Sequence, residues 1–347
     1  MSTVVLEDTI MQKGAPIVSV SKILHGFKPL ITATVAEKLL ENNYQIVGRK
    51  KIDDFGIIFF SENESSEVLQ CVENCEANFA LCSDVFGNYR TNAPKKNCAY
   101  IRPTYGTVSR YGLIPVASSM DQIGVLCRNI ADGFELLAKI SGKDSKDGAM
   151  QTNEFSNKIS EKDAHDTSKK ICNVDTKKIR VAVCEKNSND AVLSFAKKFE
   201  KINIELKFSN VCEQVLQILT CAEFSANISR YDGIKFGNRA ENFRGIDELY
   251  KKTRAEGFGL GAKTAAILGG FVLSQNNYEL YYEKAMKIRR LIKESIVFDK
   301  YDVIALPCEN NLAVLAGLPS ISFSYENCGI QLIANANCEQ HLSASIC

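Results

Sequence analysis

The side chains that most often carry out catalysis are sparse in this sequence. The histidines are His25, His165 and His341, so neither a Ser-His-Asp triad nor a histidine-based metal site is easily built. The chain has 13 cysteines, and the closest pair, Cys71 and Cys75, does not have the spacing of a zinc or redox motif. This scatter indicates reduced thiols, most of them in the core of an intracellular protein.

Composition and charge exclude several classes of protein. The 347 residues are 45% hydrophobic, which is enough for a sizeable core and excludes wholesale disorder. The 42 basic and 41 acidic residues give a net charge of +1, so no general field attracts nucleic acid or an anionic membrane. Any RNA contact must be local or made by a partner. No long apolar run or basic leader predicts a membrane span or a secretory signal.

Short apolar runs alternate with helical patterns. Residues 34–43 predict a helix with Thr34 as its cap, and a short strand is predicted directly after it, at 44–47. A further strand is predicted at 301–306 and ends before Pro307. Strands are also predicted at 79–82 and 179–184, and helices at 189–201, 211–230 and 276–298. Strands that alternate with helices indicate an α/β domain.

Two segments allow more than one interpretation. The helical pattern at 276–298 has one aromatic and apolar face, and its other positions are crowded with basic residues. We favour a core stripe under a solvated face over an RNA-binding surface. The stripe comprises Tyr278, Tyr281, Tyr282, Ala285, Ile288, Leu291 and Ile292. Residues 143–178 are mostly polar and charged, which predicts a solvated insertion instead of a working site.

Residues 101–128 read IRPTYGTVSRYGLIPVASSMDQIGVLCR, and this segment closely resembles the amidase signature family, in particular its glutamyl-tRNA(Gln) amidotransferase A subunits. The similarity continues in family order at residues 141–147, 222–237, 251–259, 268–293, 301–307 and 316–322. Several separate blocks are far more specific than one short motif. The resemblance implies a single α/β domain over residues 1–347, with a mixed central sheet covered by helices on both faces.

The resemblance also implies a chemistry. Family members of this branch hydrolyse glutamine with a nucleophilic serine, a bridging serine and a lysine, and a glycine-rich turn supplies backbone N–H groups for the oxyanion. Carried over residue by residue, the lysine position falls on Glu7 in VVLEDT, and the nucleophile position falls on Asn88 in DVFGNYRTNA. An ungapped count places the bridging serine at Glu64, and the adjacent Ser65 is a possible displaced hydroxyl.

These substitutions predict a degenerate site. The amide of Asn88 is not a nucleophile, and carboxylates at Glu7 and Glu64 would repel a developing oxyanion. Gly87 remains in the turn, but Val85 and Phe86 do not readily adopt the positive φ that glycine permits. We therefore expect the oxyanion cradle to be lost. An enzyme that uses displaced groups stays open as an alternative, with candidates at Ser65, Ser83, Ser118, Ser119 and Lys13.

Only some of the residues that bind substrate in the family have a counterpart in this sequence. Arg254 matches a family arginine that grips the substrate carboxylate, although a structural salt bridge is an equally good interpretation. The chain between Pro307 and Leu312 is much shorter than in the family, so the acidic residue that would hold the substrate amino group has no counterpart. No metal ligand is predicted.

The expected role is that of a pseudoenzyme subunit, with a free-standing amide hydrolase as a weaker alternative. The resemblance implies B-type and C-type amidotransferase subunits as partners, with tRNA contacted indirectly through a partner. No cofactor is expected in this chain, since ATP and Mg²⁺ would be used by the partner subunit. No clear presequence is visible in residues 1–14, and we expect a cytoplasmic, mitochondrial or other organellar location without membrane attachment.

Overall fold

A computed structural model describes residues 1–17, 20–52, 54–57, 66–150, 179–235 and 237–346. The strands are β1 Thr3–Glu7, β2 Gln45–Lys50, β3 Phe79–Ser83, β4 Ala99–Arg102, β5 Ile123–Cys127, β6 Arg180–Val183, β7 Glu200–Asn203, β8 Val303–Pro307, β9 Ser320–Tyr325 and β10 Cys328–Ala334. The helices are α1 Thr34–Glu41, α2 Glu67–Glu73, α3 Asn88–Asn92, α4 Ile130–Ile140, α5 Asp190–Ala196, α6 Cys212–Asn227, α7 Gly245–Gly257, α8 Leu260–Val272, α9 Lys284–Ser295, α10 Leu312–Ala316 and α11 Glu339–Ala344.

These strands form one mixed sheet in the order β2-β1-β3-β5-β4-β9-β10-β8-β6-β7. The pairs at the two ends are parallel: β2-β1 and β1-β3 at one end, and β8-β6 and β6-β7 at the other. The central pairs are antiparallel. This arrangement confirms the predicted mixed α/β sheet.

Helices cover both faces of the sheet, as predicted. Alternate residues of β1 enter different cores: Val4 and Leu6 pack with α1, α4, α5 and α11, whereas Val5 packs with α2 and α3. Towards the β7 end, α6, α9 and α10 cover the same face as α2 and α3. Most cysteines in the described part of the chain are buried thiols, as expected. No helix among the described residues has both the length and the apolar character needed to cross a bilayer.

The structure corrects two predicted elements. Ala33, not Thr34, occupies the cap position of α1, and the Thr34 hydroxyl donates to Asp144 Oδ2 at 2.6 Å. The helix predicted at 189–201 ends at Ala196, and the chain then forms β7. Pairing of β7 with the buried strand β6 decides this, because a tertiary contact overrides the local helical pattern.

The aromatic stripe is also only partly buried. Tyr278 and Tyr281 lie in a π-helical turn, Tyr278–Glu283, and both are exposed. The wider i→i+5 bonding of a π-turn breaks the helical spacing from which a common face was predicted. Farther along, Ala285 and Ile292 are buried, and Tyr282 and Ile288 pack against them, so this part of the prediction is confirmed. Leu291 is exposed.

The start of the predicted insertion is tied to the core. Asp144 accepts hydrogen bonds from the hydroxyls of Thr34 and Ser109, each at 2.6 Å, and Asp147 forms a 3.0 Å ion pair with Arg110. These contacts anchor the start of the segment through Asp144 and Asp147, whereas Lys143, Ser145, Lys146 and Gly148 are exposed. Residues 151–178 lie outside the described residues.

Candidate functional site

Glu7 lies at the carboxyl end of β1 and is completely buried. Strands β2 and β3 flank β1 in parallel, so the chain after β3 passes close to this residue. The Thr9 hydroxyl donates to Glu7 Oε1, and the Tyr89 hydroxyl donates to Oε2 at 2.8 Å. The backbone N–H of Ser83 is a further donor. The Glu7 carboxyl, at the position that the sequence predicts for the family's lysine, thus accepts from three groups of its own chain.

Burial sets the protonation of this carboxyl. Loss of hydration raises the pKa of Glu7 from 4.5 to about 7, against the opposing effect of the hydrogen bonds from Thr9, Tyr89 and the Ser83 backbone. The nearby Asp84 carboxylate raises the pKa further. Glu7 is therefore a mixture of acid and carboxylate near neutral pH.

The turn from β3 to α3 keeps a rigid frame around Asn88. Asp84 accepts from the backbone N–H of Gly87 and from that of Arg90, both at 2.8 Å. Gly87 has φ 97°, and a Cβ there would lie 2.6 Å from Arg90 Nη2, so only glycine fits. Val85 and Phe86 have ordinary negative φ, and the Gly87 amide is committed to Asp84. That amide is not available to an oxyanion.

Asn88 begins α3 and is half-buried. Its Oδ1 accepts from Asn92 Nδ2 at 3.1 Å, an i,i+4 contact along the short helix. Together with Glu7 it lines a cavity of about 20 Å³. The structure thus brings two of the sequence-predicted site residues to one place.

The cavity has a polar side and an apolar side. Its lining residues are Glu7, Thr9, Ser83, Asp84, Asn88 and Tyr89, together with Ile52, Phe55, Gly56, Val85, Phe86, Ile114 and Val116. A volume of about 20 Å³ accommodates one water-sized molecule, whereas ligand pockets typically start at about 300 Å³. As lined by the described residues, the cavity is smaller than an amide substrate.

Phe55 forms part of the cavity wall and is held in place from outside. It has φ 62°, a left-handed conformation that is unfavourable for a bulky residue. The preceding Asp54 carboxylate accepts from the backbone N–H groups of Gly259, at 3.0 Å, and Ala262, at 2.6 Å, at the start of α8. The Phe55 ring packs against Phe224, at 5.4 Å between ring centres. These contacts fix the apolar wall next to Glu7.

The displaced-group candidates fall in different places. Ser83 lines the cavity, and its buried Oγ has no hydrogen-bond partner among the described residues. Ser119 donates to Glu223 and accepts from Arg289 Nη1 at 2.7 Å, in a separate cluster. Ser118 and Lys13 are exposed. Glu64 and Ser65, the predicted bridging position and its neighbour, lie outside the described residues.

Arg254 does not line the cavity and is separated from it by one intervening side chain, that of Phe258. Its Nη1 donates to the backbone carbonyls of Ile228, at 2.8 Å, and Tyr231, at 3.3 Å. Its guanidinium stacks on Phe258, which in turn packs against the cavity residue Phe55. Both of these acceptors are backbone carbonyls, so Arg254 braces a loop, and it forms no ion pair with the residues that the structure describes.

Sequence reasoning missed Tyr89 and Thr9. A buried carboxylate requires hydrogen-bond donors, and Thr9 follows Glu7 by two residues, which was a usable signal. Tyr89 could be found only from the adjacency of β1 and β3, because it is distant from Glu7 in the sequence.

Comparisons with known proteins identify relatives of this chain. The family model described as Amidase matches residues 75–338. The chain is 34% identical over 335 residues to the A subunit of the glutamyl-tRNA(Gln) amidotransferase of Bacillus velezensis, with 87% of this chain and 67% of that protein covered. The A subunit from Streptococcus sanguinis is 32% identical over 344 residues, or 89% of this chain and 68% of that protein. The chain therefore spans about two thirds of the length of these curated relatives.

Solved structures show the same fold. The A subunit of the glutamyl-tRNA(Gln) amidotransferase of Thermotoga maritima superimposes with a TM-score of 0.71 at 23% identity, covering 99% of this chain and 81% of that chain. The peptide amidase of Stenotrophomonas maltophilia gives a TM-score of 0.74 at 16% identity, with coverage of 99% and 81%.

Proposed function

Because this chain belongs to the amidase family, we propose that it is a degenerate relative of the glutamyl-tRNA(Gln) amidotransferase A subunits. It serves the transamidation pathway from Glu-tRNA(Gln) to Gln-tRNA(Gln) by assembly and not by cutting an amide bond. The 34% identity over 87% of the chain supports the pathway. The geometry around Glu7 supports the loss of hydrolysis.

The engagement of Glu7 is the observation that carries the proposal. Amide hydrolysis needs a nucleophile whose proton passes to a base, and donors must stabilise the oxyanion that develops. Here the nucleophile position holds Asn88, and the base position holds a buried carboxyl already occupied by Thr9 and Tyr89. The amide of Gly87 is held by Asp84. Among the described residues, Asn88, Glu7 and the Gly87 amide thus do not offer the groups that hydrolysis needs.

A second candidate is an amide hydrolase that uses displaced hydroxyls. Two observations favour it: the Thr9 hydroxyl donates to Glu7, and the Ser83 hydroxyl lines the same cavity without a partner among the described residues. A carboxyl with a pKa of about 7 is well suited to general-base catalysis. The volume of about 20 Å³ argues against it, because a substrate would first have to displace Phe55 or Phe86.

The partners in this proposal are a B-type and a C-type amidotransferase subunit. The names of the relatives support this assignment, since they denote the A subunit of a larger enzyme. ATP and Mg²⁺ would act in the B-type partner, and tRNA would be contacted mainly through it. This chain would supply a scaffold, and ammonia would come from another source.

The experiment measures ammonia release from glutamine and asparagine by the purified chain, alone and with purified B-type and C-type subunits. We expect no release above the buffer rate, together with retention of the chain by an immobilised B-type subunit. Release that disappears in Thr9→Ala, Ser83→Ala or Ser65→Ala would instead establish the displaced-hydroxyl enzyme. Failure to bind the B-type subunit would overturn the role in assembly.

A further inference from the structure

Helix α8 has its small side chains turned inward. Ala262, Ala265, Gly269 and Val272 are buried at helical spacing against the neighbouring elements. A Cβ on Gly269 would lie 2.1 Å from the backbone oxygen of Cys221 in α6, so the two helices approach at backbone distance. The buried face of α8 therefore contains mostly small residues and leaves out the larger apolar side chains of the helix.

The large apolar side chains of α8 point to solvent instead. Ile267 is 72% exposed, and Leu268 and Phe271 are also exposed. Leu280, 65% exposed, and Tyr281 extend this surface into the π-helical turn, where the rings of Phe271 and Tyr281 lie 5.4 Å apart. We call these five residues the α8 patch. A contiguous exposed apolar surface of this kind marks an interaction site.

The surroundings of the α8 patch are basic. Residues 260–295 contain six basic and three acidic side chains, although the whole chain is nearly neutral at +1. Two of the three acids are already used locally, in the ion pairs Glu283–Lys287 and Glu294–Arg290. The exposed Lys284, four residues after Leu280, and the half-buried Lys263, four residues before Ile267, outnumber the third acid, the exposed Glu279. A partner that covers the apolar patch would gain from acidic flanks.

We propose that the α8 patch docks an acidic amphipathic helix of another protein. Such a helix supplies an apolar stripe for Ile267, Phe271 and Leu280, and carboxylates for the flanking lysines. Helix α8 has 13 residues and is therefore about 20 Å long, which matches a partner helix of three to four turns. This inference concerns a surface apart from the Glu7 cavity and does not rest on the proposed function.

A second copy of this chain is a poorer occupant. A symmetric dimer through the α8 patch would place the same surface opposite itself and bring like-charged lysines together. RNA is also a poorer occupant. The centre of the surface consists of apolar side chains, Ile267, Leu268 and Leu280, and Lys287 and Arg290 are paired with acids, whereas RNA binding depends on available basic groups around stacking aromatics.

The test uses two fluorescein-labelled amphipathic peptides of equal length, one built from Leu and Glu and one from Leu and Lys. Binding to the full chain is measured by fluorescence anisotropy. We expect the Leu/Glu peptide to bind and the Leu/Lys peptide to bind at least about tenfold more weakly. Ile267→Glu should lower the affinity for the Leu/Glu peptide by about tenfold or more, the change expected when one large aliphatic contact is lost.

Two further variants complete the test. Leu40→Glu is the matched control, because Leu40 is 57% exposed but lies on α1, on the other face of the sheet. It should leave binding unchanged. Lys284→Glu should weaken binding of the Leu/Glu peptide and strengthen binding of the Leu/Lys peptide. Circular dichroism verifies that each variant is folded.

Several outcomes overturn the proposal. Absence of Leu/Glu binding, equal binding of both peptides, or equal loss in Leu40→Glu would show that the surface has no such specificity. A wild-type dimer that Ile267→Glu converts to a monomer would assign the surface to a second copy. Binding of single-stranded RNA that Lys284→Glu abolishes and Ile267→Glu preserves would assign it to RNA.

Discussion

The hydroxyl of Tyr89 lies 2.8 Å from Oε2 of Glu7, and this contact joins the two segments in which the sequence predicts the family's nucleophile position, at Asn88, and its lysine position, at Glu7. The two chain segments are therefore adjacent in the fold. What connects them now is a buried hydrogen bond that contributes to stability.

Replacing Glu7 should change how stability depends on pH. The folded state binds a proton at Glu7 up to about pH 7, whereas the unfolded chain releases it above about 4.5. The free energy of unfolding of the wild type should thus fall as pH rises from 4.5 to 7, by about 3 kcal/mol at most. Glu7→Gln should remove the part of this decline that comes from Glu7, as measured by urea unfolding between pH 4.5 and 8.

A smaller decline should persist in Glu7→Gln, because burial also raises the pKa of Asp121, from 3.8 to about 6. The quantity to compare is therefore the difference in the free energy of unfolding between the variant and the wild type at each pH. A difference that does not change between pH 4.5 and 8 would contradict the assignment of the proton to Glu7.

Removing the Tyr89 hydroxyl should destabilise the fold. Tyr89→Phe leaves the carboxylate of Glu7 with one donor fewer in a buried site, which costs about 1–3 kcal/mol at pH 8. Tyr100→Phe is a matched control: its ring is buried beside Tyr89, and its hydroxyl has no partner among the described residues. We expect Tyr100→Phe to be neutral or stabilising in the same urea titration. Equal effects of both changes would refute the role of the hydrogen bond to Glu7.

Restoring the family's side chains should not restore catalysis. The triple variant Glu7→Lys, Glu64→Ser and Asn88→Ser is expected to release ammonia from glutamine no faster than the wild type. The amide of Gly87 would still donate to Asp84, and Phe55 and Phe86 would still line a cavity of about 20 Å³. Robust turnover in the triple variant would show that the glycine cradle and the aromatic wall do not limit the reaction.

Arg254 should matter for stability and not for glutamine binding. Arg254→Met removes the hydrogen bonds to the carbonyls of Ile228 and Tyr231, and we expect a loss of about 1–3 kcal/mol in the free energy of unfolding. Isothermal titration with glutamine should give no heat of binding for either protein. Glutamine binding by the wild type that is lost in Arg254→Met would instead support a carboxylate-gripping role.

The sequence predicted the architecture better than the site. Strands such as β3 and β8 are short buried apolar runs, and a local pattern suffices to find them. Family motifs located Glu7 and Asn88, which the structure brings together in one cavity. The bond between Tyr89 and Glu7 depends on strand order, which no local pattern contains. The exposure of Tyr281 depends on a π-turn, whose hydrogen bonding leaves no simple sequence signal.

The turn held by Asp84 has a consequence for how such proteins change over time. Asp84 accepts its hydrogen bonds from the backbone N–H groups of Gly87 and Arg90, so these bonds do not depend on which side chain occupies position 88. Selection for this turn therefore places little constraint on the residue type at position 88. A lineage can lose a nucleophile there by drift, and retain a well-packed protein, without ever passing through a misfolded ancestor.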